Sequence, residues 1–348
     1  METLTNNMNT SFTLHNFGPI KAADVEFGDM TFIVGPQASG KSIFLQAWKL
    51  REDYLSIKNN LNNYSYNTDG DNILKHYFGI NNLKMQQIDG TSQSNQPEKI
   101  FYIPAQRVLC IADGRPKRFM EFDYETPYVV RQFSEYLRQN FAPDAEKMAS
   151  AIASPSSIYH NGKIEIDSSM GPQKMRLRVG ETSLPFVAWS AGQKEYMPLS
   201  MANYFISKDQ APQFQYIVIE EPEMGLHPRA IIGFIGEVAQ LMAKGFKIVI
   251  STHSSVFLEF AWSIKTMQDS TEDNFKHVIS EAGIADSQAI DILYKSRKNI
   301  KTYFFNDGIS KDISSLDAWS DDPDVAQMGE LTSFNARICD AIAKYKND

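Results

Sequence analysis

The stretch Thr31-Phe-Ile-Val-Gly35-Pro-Gln-Ala-Ser-Gly40-Lys41-Ser42 limits what this chain can fold into more than any other. An apolar run leads into a glycine-bounded loop, and an amphipathic run (Ile43, Phe44, Ala47, Trp48) follows at once. Strand, loop and helix in that order, with the spacing Gly-x4-Gly-Lys-Ser, form a loop that turns its N–H groups around phosphate oxygens at a helix N-terminus. The pattern arises by chance in about one chain in a hundred of this length. Gly35, Pro36, Gln37, Ala38, Ser39, Gly40, Lys41 and Ser42 are therefore candidate nucleotide-binding residues. Lys41 would bring charge to the β- and γ-phosphates. Ser42 would offer a hydroxyl to Mg²⁺, a cation that prefers hard oxygen ligands.

The 348 residues suffice for one large α/β domain with insertions or for two domains. A net charge of −8 argues against a protein coated in nucleic acid by bulk electrostatics, though it allows a local basic patch. The two cysteines, Cys110 and Cys339, are too far apart in sequence to form a framework or a metal spacing. The N-terminal METLTNNMNT has no signal-peptide character, and no window approaches a membrane span. A cytoplasmic protein without a membrane partner is expected.

Two short strands are expected at 11–15 and 22–27, before the strand at 31–34, and a helix from Lys41 to about Ile57. Residues 58–99 are polar and read as a surface insertion, mainly loop, with an apolar island from Ile73 to Leu83. Lys99–Ile103 is a strand closed by Pro104. Apolar positions at helical spacing between Phe119 and Ile152 indicate a helical insertion, bounded at about 108–162. Alternating strands follow near 163–166 and 175–179. Helices and buried strands then alternate up to 267, which implies a mostly parallel sheet. The expected division is 1–107 and 163–267 for the two halves of a core, 108–162 for the insertion, and 268–348 for an extension. That extension comprises a hairpin around Asn306-Asp307-Gly308 and a final helix at about 329–346.

The apolar strand Tyr216–Ile219 runs into Glu220 and Glu221, at the strand edge where open α/β sheets bind ligands. Neighbouring residues on a strand face opposite sides. Glu220 is expected on the metal side and Glu221 as general base for the attacking water, in a reaction that depends on positioning and charge stabilisation. His253 ends the next apolar strand, where it could bond the γ-phosphate. Lys174, Arg176 and Arg178 share one face of a strand. With Arg107, Arg115, Lys117 and Arg118 they form a candidate footprint for a phosphate backbone.

Taken in order, GPQASGKS, SAGQKE, YIVIEEPEMGLHP and IVISTHS resemble the ATP-binding-cassette superfamily. They most resemble the soluble SMC-like, RecF-like and OLD-like AAA ATPases of prokaryotes, over residues 11–267. The resemblance implies an ABC-type P-loop ATPase head with N-terminal antiparallel strands and a helical insertion, using ATP and Mg²⁺. It implies that Ser190, Ala191, Gly192 and Gln193 reach the γ-phosphate of a second protomer, so that the protein acts as a homodimer or a higher even-numbered homo-oligomer. Gln106 matches, approximately, a glutamine that binds nucleotide and metal. Met224–His227 match a dimer-contact loop, and Phe12, Asn16 or Phe17 a contact for adenine. Glu220 stands where many members have aspartate, and Ala191 where a glycine is frequent. There is no long coiled coil and no attached nuclease signature. The implied role is a sensor or regulator of a separate effector, a nuclease or toxin, in bacterial anti-phage defence, triggered by nucleic acid or a phage protein. The alternatives are a DNA-repair ATPase that clamps DNA, and a transporter subunit.

Overall fold

The structure is a computed structural model that describes residues 10–85, 88, 90–92, 97–152, 158–159, 162–169, 171–208, 214–329 and 338. In chain order these form β1 (Ser11–Phe17), β2 (Ile20–Glu26), β3 (Met30–Val34), α1 (Lys41–Glu52), α2 (Tyr54–Asn63), α3 (Asn72–Phe78), β4 (Ile100–Ile103), β5 (Ile111–Ala112), β6 (Arg115–Pro116), α4 (Tyr128–Ala151), β7 (Lys163–Asp167), β8 (Lys174–Val179), β9 (Thr182–Pro185), α5 (Ala191–Lys208), β10 (Tyr216–Glu220), α6 (Pro228–Ala243), β11 (Lys247–Thr252), α7 (Ser255–Thr266), α8 (Glu272–Glu281), α9 (Ser287–Ser296), β12 (Ile300–Asn306), β13 (Ile309–Asp312) and α10 (Pro323–Ala326).

Every residue of β3, β4 and β10 is buried, which is the pattern of strands covered on both faces. They lie in an eight-stranded sheet of order β1-β2-β13-β12-β3-β11-β10-β4. The run β12-β3-β11-β10-β4 is parallel, and β1 pairs antiparallel with β2. The α/β architecture is therefore the expected one. The phosphate loop, Glu220 and Thr252 all leave the same, C-terminal edge of neighbouring strands. β7, β8 and β9 form a separate antiparallel sheet.

The hairpin expected in the last third forms, with Asn306 opposite Ile309. It is not an appendage, however. Its first strand, β12, pairs in parallel with β3, Thr302 opposite Phe32 and Phe304 opposite Val34, so this hairpin is part of the core sheet. The final helix expected at 329–346 falls almost wholly outside the described residues, as does Cys339.

The polar insertion also differs from expectation. The first helix stops at Glu52 because Asp53 turns inward, accepting hydrogen bonds from the Lys49 ammonium at 2.9 Å and the Lys99 N–H at 2.7 Å. The chain then forms α2 and α3 instead of loop. In α3, Ile73, Leu74, Tyr77 and Phe78 are buried, and the Tyr77 hydroxyl donates to the Gln46 carbonyl at 2.9 Å. Tertiary packing outweighs a run of weak helix formers. The expected helical insertion contains one long helix, α4, preceded by the short β5–β6 pair. No helix among the described residues is long and apolar enough to cross a membrane.

Candidate functional site

β3 ends in the phosphate loop, and α1 begins at Lys41. Gly35 has φ 145°, and a Cβ there would come within 2.1 Å of the Phe305 carbonyl oxygen of β12. Only glycine fits so close an approach of two backbones. Pro36, Gln37 and Ala38 form the exposed crest of the loop, while Ser39, Gly40 and Lys41 are buried and Ser42 is half-buried. The Lys41 ammonium points into the loop, donating to the Gly35 carbonyl at 2.8 Å and the Pro36 carbonyl at 2.7 Å. Burial holds its pKa below the usual lysine value, against the opposing pull of Glu221, Glu223 and Glu220. A cleft of about 330 Å³ opens here, lined by Pro19, Ala38, Ser39, Gly40, Lys41, Ser42, Ile43 and Glu221.

Glu220 and Glu221 diverge as expected. Glu220 is 1% exposed, and its Oε2 accepts from the Ala105 N–H at 3.3 Å. Burial raises its pKa above the usual carboxylate value, and the Ser42 hydroxyl, the Ala105 N–H and the Tyr102 hydroxyl pull it back. Its Oε1 is buried with no hydrogen-bond partner. An orphaned carboxylate oxygen beside a serine hydroxyl fits Mg²⁺, which binds through one or two protein oxygens together with substrate phosphates. Ser42 and Glu220 would hold the ion, which supplies charge neutralisation at the phosphates when bound. Among the described residues no cluster of three His, Cys, Asp or Glu side chains is arranged to hold a metal by itself.

Glu221 has φ 43°, a strained value for a residue with a side chain. The turn is fixed by its N–H, which donates to the Ser251 carbonyl at 2.8 Å. The bend ends the strand and puts the Glu221 carboxylate at the wall of the cleft, where it can accept a proton from water attacking a bound phosphate. His253 Nδ1 lies 3.8 Å from Glu221 Oε1 and 3.5 Å from Glu223 Oε1, so the two expected catalytic residues, His253 and Glu221, are neighbours.

Glu223 had no assigned role in the sequence. It is buried, and its Oε1 accepts from the Thr252 hydroxyl at 2.6 Å and the His253 N–H at 2.8 Å, joining the ends of β10 and β11. The signal was present as a third acid two residues after Glu221. Gln106 is exposed and is not among the residues lining the cleft; its neighbour Ala105 makes the contact to Glu220.

Ser190 and Gln193 cap the start of α5 reciprocally. The Ser190 N–H donates to Gln193 Oε1 at 3.0 Å, and the Gln193 N–H to Ser190 Oγ at 3.4 Å. Ser190 and Ala191 are exposed, and Gly192 packs against the loop after Glu223. None of the four lines the cleft of its own chain.

Two expectations are corrected by packing. Phe12 and Phe17 are core residues with 1% and 0% exposure, their rings 5.0 Å from Phe44 and 5.4 Å from Phe78, so neither is free to stack on adenine; Asn16 remains exposed. Arg107 is fully buried and leaves the basic footprint. Of the remaining basic residues, Lys174 pairs with Asp113, Arg176 with Asp167, Arg178 with Glu165 and Arg115 with Glu121. Cys110 is buried, which pushes its thiol pKa up to about 12 and makes it an inert core residue.

The family described as AAA ATPase domain matches residues 49–258, more than half of the chain, beginning just after the phosphate loop. No curated protein sequence matches. Among solved structures, the chain is similar to an SMC head bound to the C-winged helix domain of ScpA, at 12% identity and TM-score 0.44, covering 87% of this chain and 96% of that one. It is also similar to an SMC head domain from Thermotoga maritima, at 14% identity and TM-score 0.35, covering 87% and 97%. A dimeric bacterial ABC transporter cassette matches at 14% identity and TM-score 0.36, covering 87% and 96%. By the family match the chain belongs to the AAA ATPase domain family and is an ATP-hydrolysing enzyme.

Proposed function

We propose that two copies of this chain close head to tail around Mg²⁺-ATP, each supplying Lys41, Ser42, Glu220, Glu221 and His253 to one nucleotide and Ser190–Gln193 to the other. The observation that carries this reading is the exposed N-terminus of α5. Ser190 and Ala191 face solvent, away from their own cleft, at a helix end that favours anions. ATP can drive closure only by binding the closed pair better than the open one. Glu221→Gln should hold ATP without hydrolysing it, and light scattering should show its mass doubling, or reaching a higher even multiple, when ATP is added. Ser190→Arg should abolish the shift. A Glu221→Gln protein of unchanged mass with ATP bound would end the shared-site reading.

The closure is read here as a signal to a separate effector, a nuclease or toxin, in defence against phage, with nucleic acid or a phage protein as trigger. The resemblance carried by the four motifs supports this role. It is tested by recovering the effector with Glu221→Gln in ATP and by measuring phage plating on cells that make the wild-type or the Lys41→Ala protein. Equal plating on both would remove the role. The DNA-clamping alternative is less well supported, because the basic face of β8 is already paired with Asp113, Asp167 and Glu165.

A further inference from the structure

Arg107 has no exposure, yet its nearest carboxylate oxygen among the described residues, Glu195 Oε2, is 3.8 Å away. A buried guanidinium without a close counter-ion is costly, and an apolar residue would serve a core better. Its donors go instead to main-chain carbonyls. Nη1 donates to Glu220 at 2.9 Å and Nη2 to Glu221 at 3.0 Å, while Nε donates to Glu195 at 3.0 Å. The first two are the catalytic carboxylate residues, and the third lies in the first turns of α5. The planar fork fixes all three carbonyls at once, which a lysine ammonium on a flexible stem cannot do. Burial raises the pKa of the Glu195 carboxylate, and its Oε2 has no hydrogen-bond partner. The guanidinium therefore acts on α5 through backbone, not chiefly through an ion pair.

We propose that Arg107 is a positioning residue for ATP hydrolysis: it locks the backbone bearing Glu220 and Glu221 to α5, so that engagement of Ser190 by the partner's nucleotide and alignment of the protomer's own carboxylates occur as one movement. This rests on the shared-site reading above. Arg107 touches neither nucleotide nor metal in this scheme. Each copy of it serves both composite sites, through its own carboxylates at one and its own α5 at the other.

The test combines Arg107→Lys, Glu221→Gln and their double variant, with melting temperature, fluorescent-ATP affinity, hydrolysis rate and mass measured on the full chain. Arg107→Lys is expected to fold with a lowered melting temperature and to bind ATP as wild type, with kcat lower by about 10- to 100-fold, the range for groups that orient catalytic ligands. The double variant should form fewer ATP-dependent dimers than Glu221→Gln. Unchanged kcat in Arg107→Lys, or as many ATP-dependent dimers in the double variant as in Glu221→Gln, overturns the proposal while Glu221→Gln still dimerises. If Glu221→Gln does not dimerise, the shared-site reading itself has failed. Should Arg107→Lys not fold, Arg107→Met, which removes the buried charge together with the fork, carries the test with the same expected loss of kcat; wild-type kcat overturns the proposal.

Discussion

The carbonyl oxygen of Gly225 occupies the space that a side chain on Gly192 would need: an added Cβ would approach it to 2.4 Å. The first turn of α5 and the loop after the acid pair thus touch backbone to backbone. Gly192→Ala must push them apart, at a cost of about 1–3 kcal/mol in stability. Displacements of this size cost up to about 100-fold in rate when they reach a catalytic group. ATP affinity should hold while kcat and ATP-dependent dimer formation fall. Wild-type kcat in the Gly192→Ala protein would show that the close approach is not needed.

Lys41 supplies the buried cation inside the phosphate loop, and no other residue lining the cleft carries positive charge among the described residues. Lys41→Ala should weaken ATP binding by at least about 100-fold, or about 2.7 kcal/mol. Calorimetric titration measures this directly. Retained affinity would remove the loop from the nucleotide site.

Glu223 binds both the Thr252 hydroxyl and the His253 N–H through one oxygen. Glu223→Ala removes the shared acceptor and should let the end of β11 shift. Hydrolysis is expected to drop roughly 10- to 100-fold with ATP binding preserved. Loss of binding instead would assign Glu223 to the nucleotide rather than to the histidine.

Glu237 on α6 lies outside the nucleotide cleft. Burial raises its pKa, against the Tyr196 hydroxyl and the Asn203 amide that donate to it. A carboxylate with a raised folded-state pKa stabilises fully below its unfolded value, near the ordinary 4.5, and that contribution is lost as pH rises through the folded value. Glu237→Gln does not titrate. The melting temperature of the variant relative to wild type should therefore climb with pH from about 4.5 upward. A difference that stays flat from pH 4 to pH 8 would mean that the carboxylate is not destabilised by burial.

Much of the site could be read from the sequence because its parts are contiguous. The phosphate loop, the acid pair and the strand ending at Thr252 each need neighbours within a few residues, and each lies on its expected element. What escaped depends on distant partners. Nothing in the order Ala105-Gln106-Arg107 separates a buried guanidinium from a surface one, because its acceptors lie about 90 and 110 residues later, at Glu195 and Glu220. Likewise α3 exists because Tyr77 reaches the Gln46 carbonyl of α1 and stacks on Tyr128 of α4, which no local propensity encodes. Phe12 and Leu14 share one face of β1, but Phe17 is buried out of that phase, and alternation gives two faces without saying which is covered.

The strand beside the phosphate loop carries a consequence for biosynthesis. Gly35 rests on the carbonyl of Phe305, and β3 is flanked by β11 and β12, both made much later. A ribosome that has translated the loop has not yet made either neighbour that shapes it. Nucleotide capture must therefore come late, after the segment through Phe305 has cleared the exit tunnel, and until then the hydrophobic edge of β3 depends on chaperones or on partial collapse for cover.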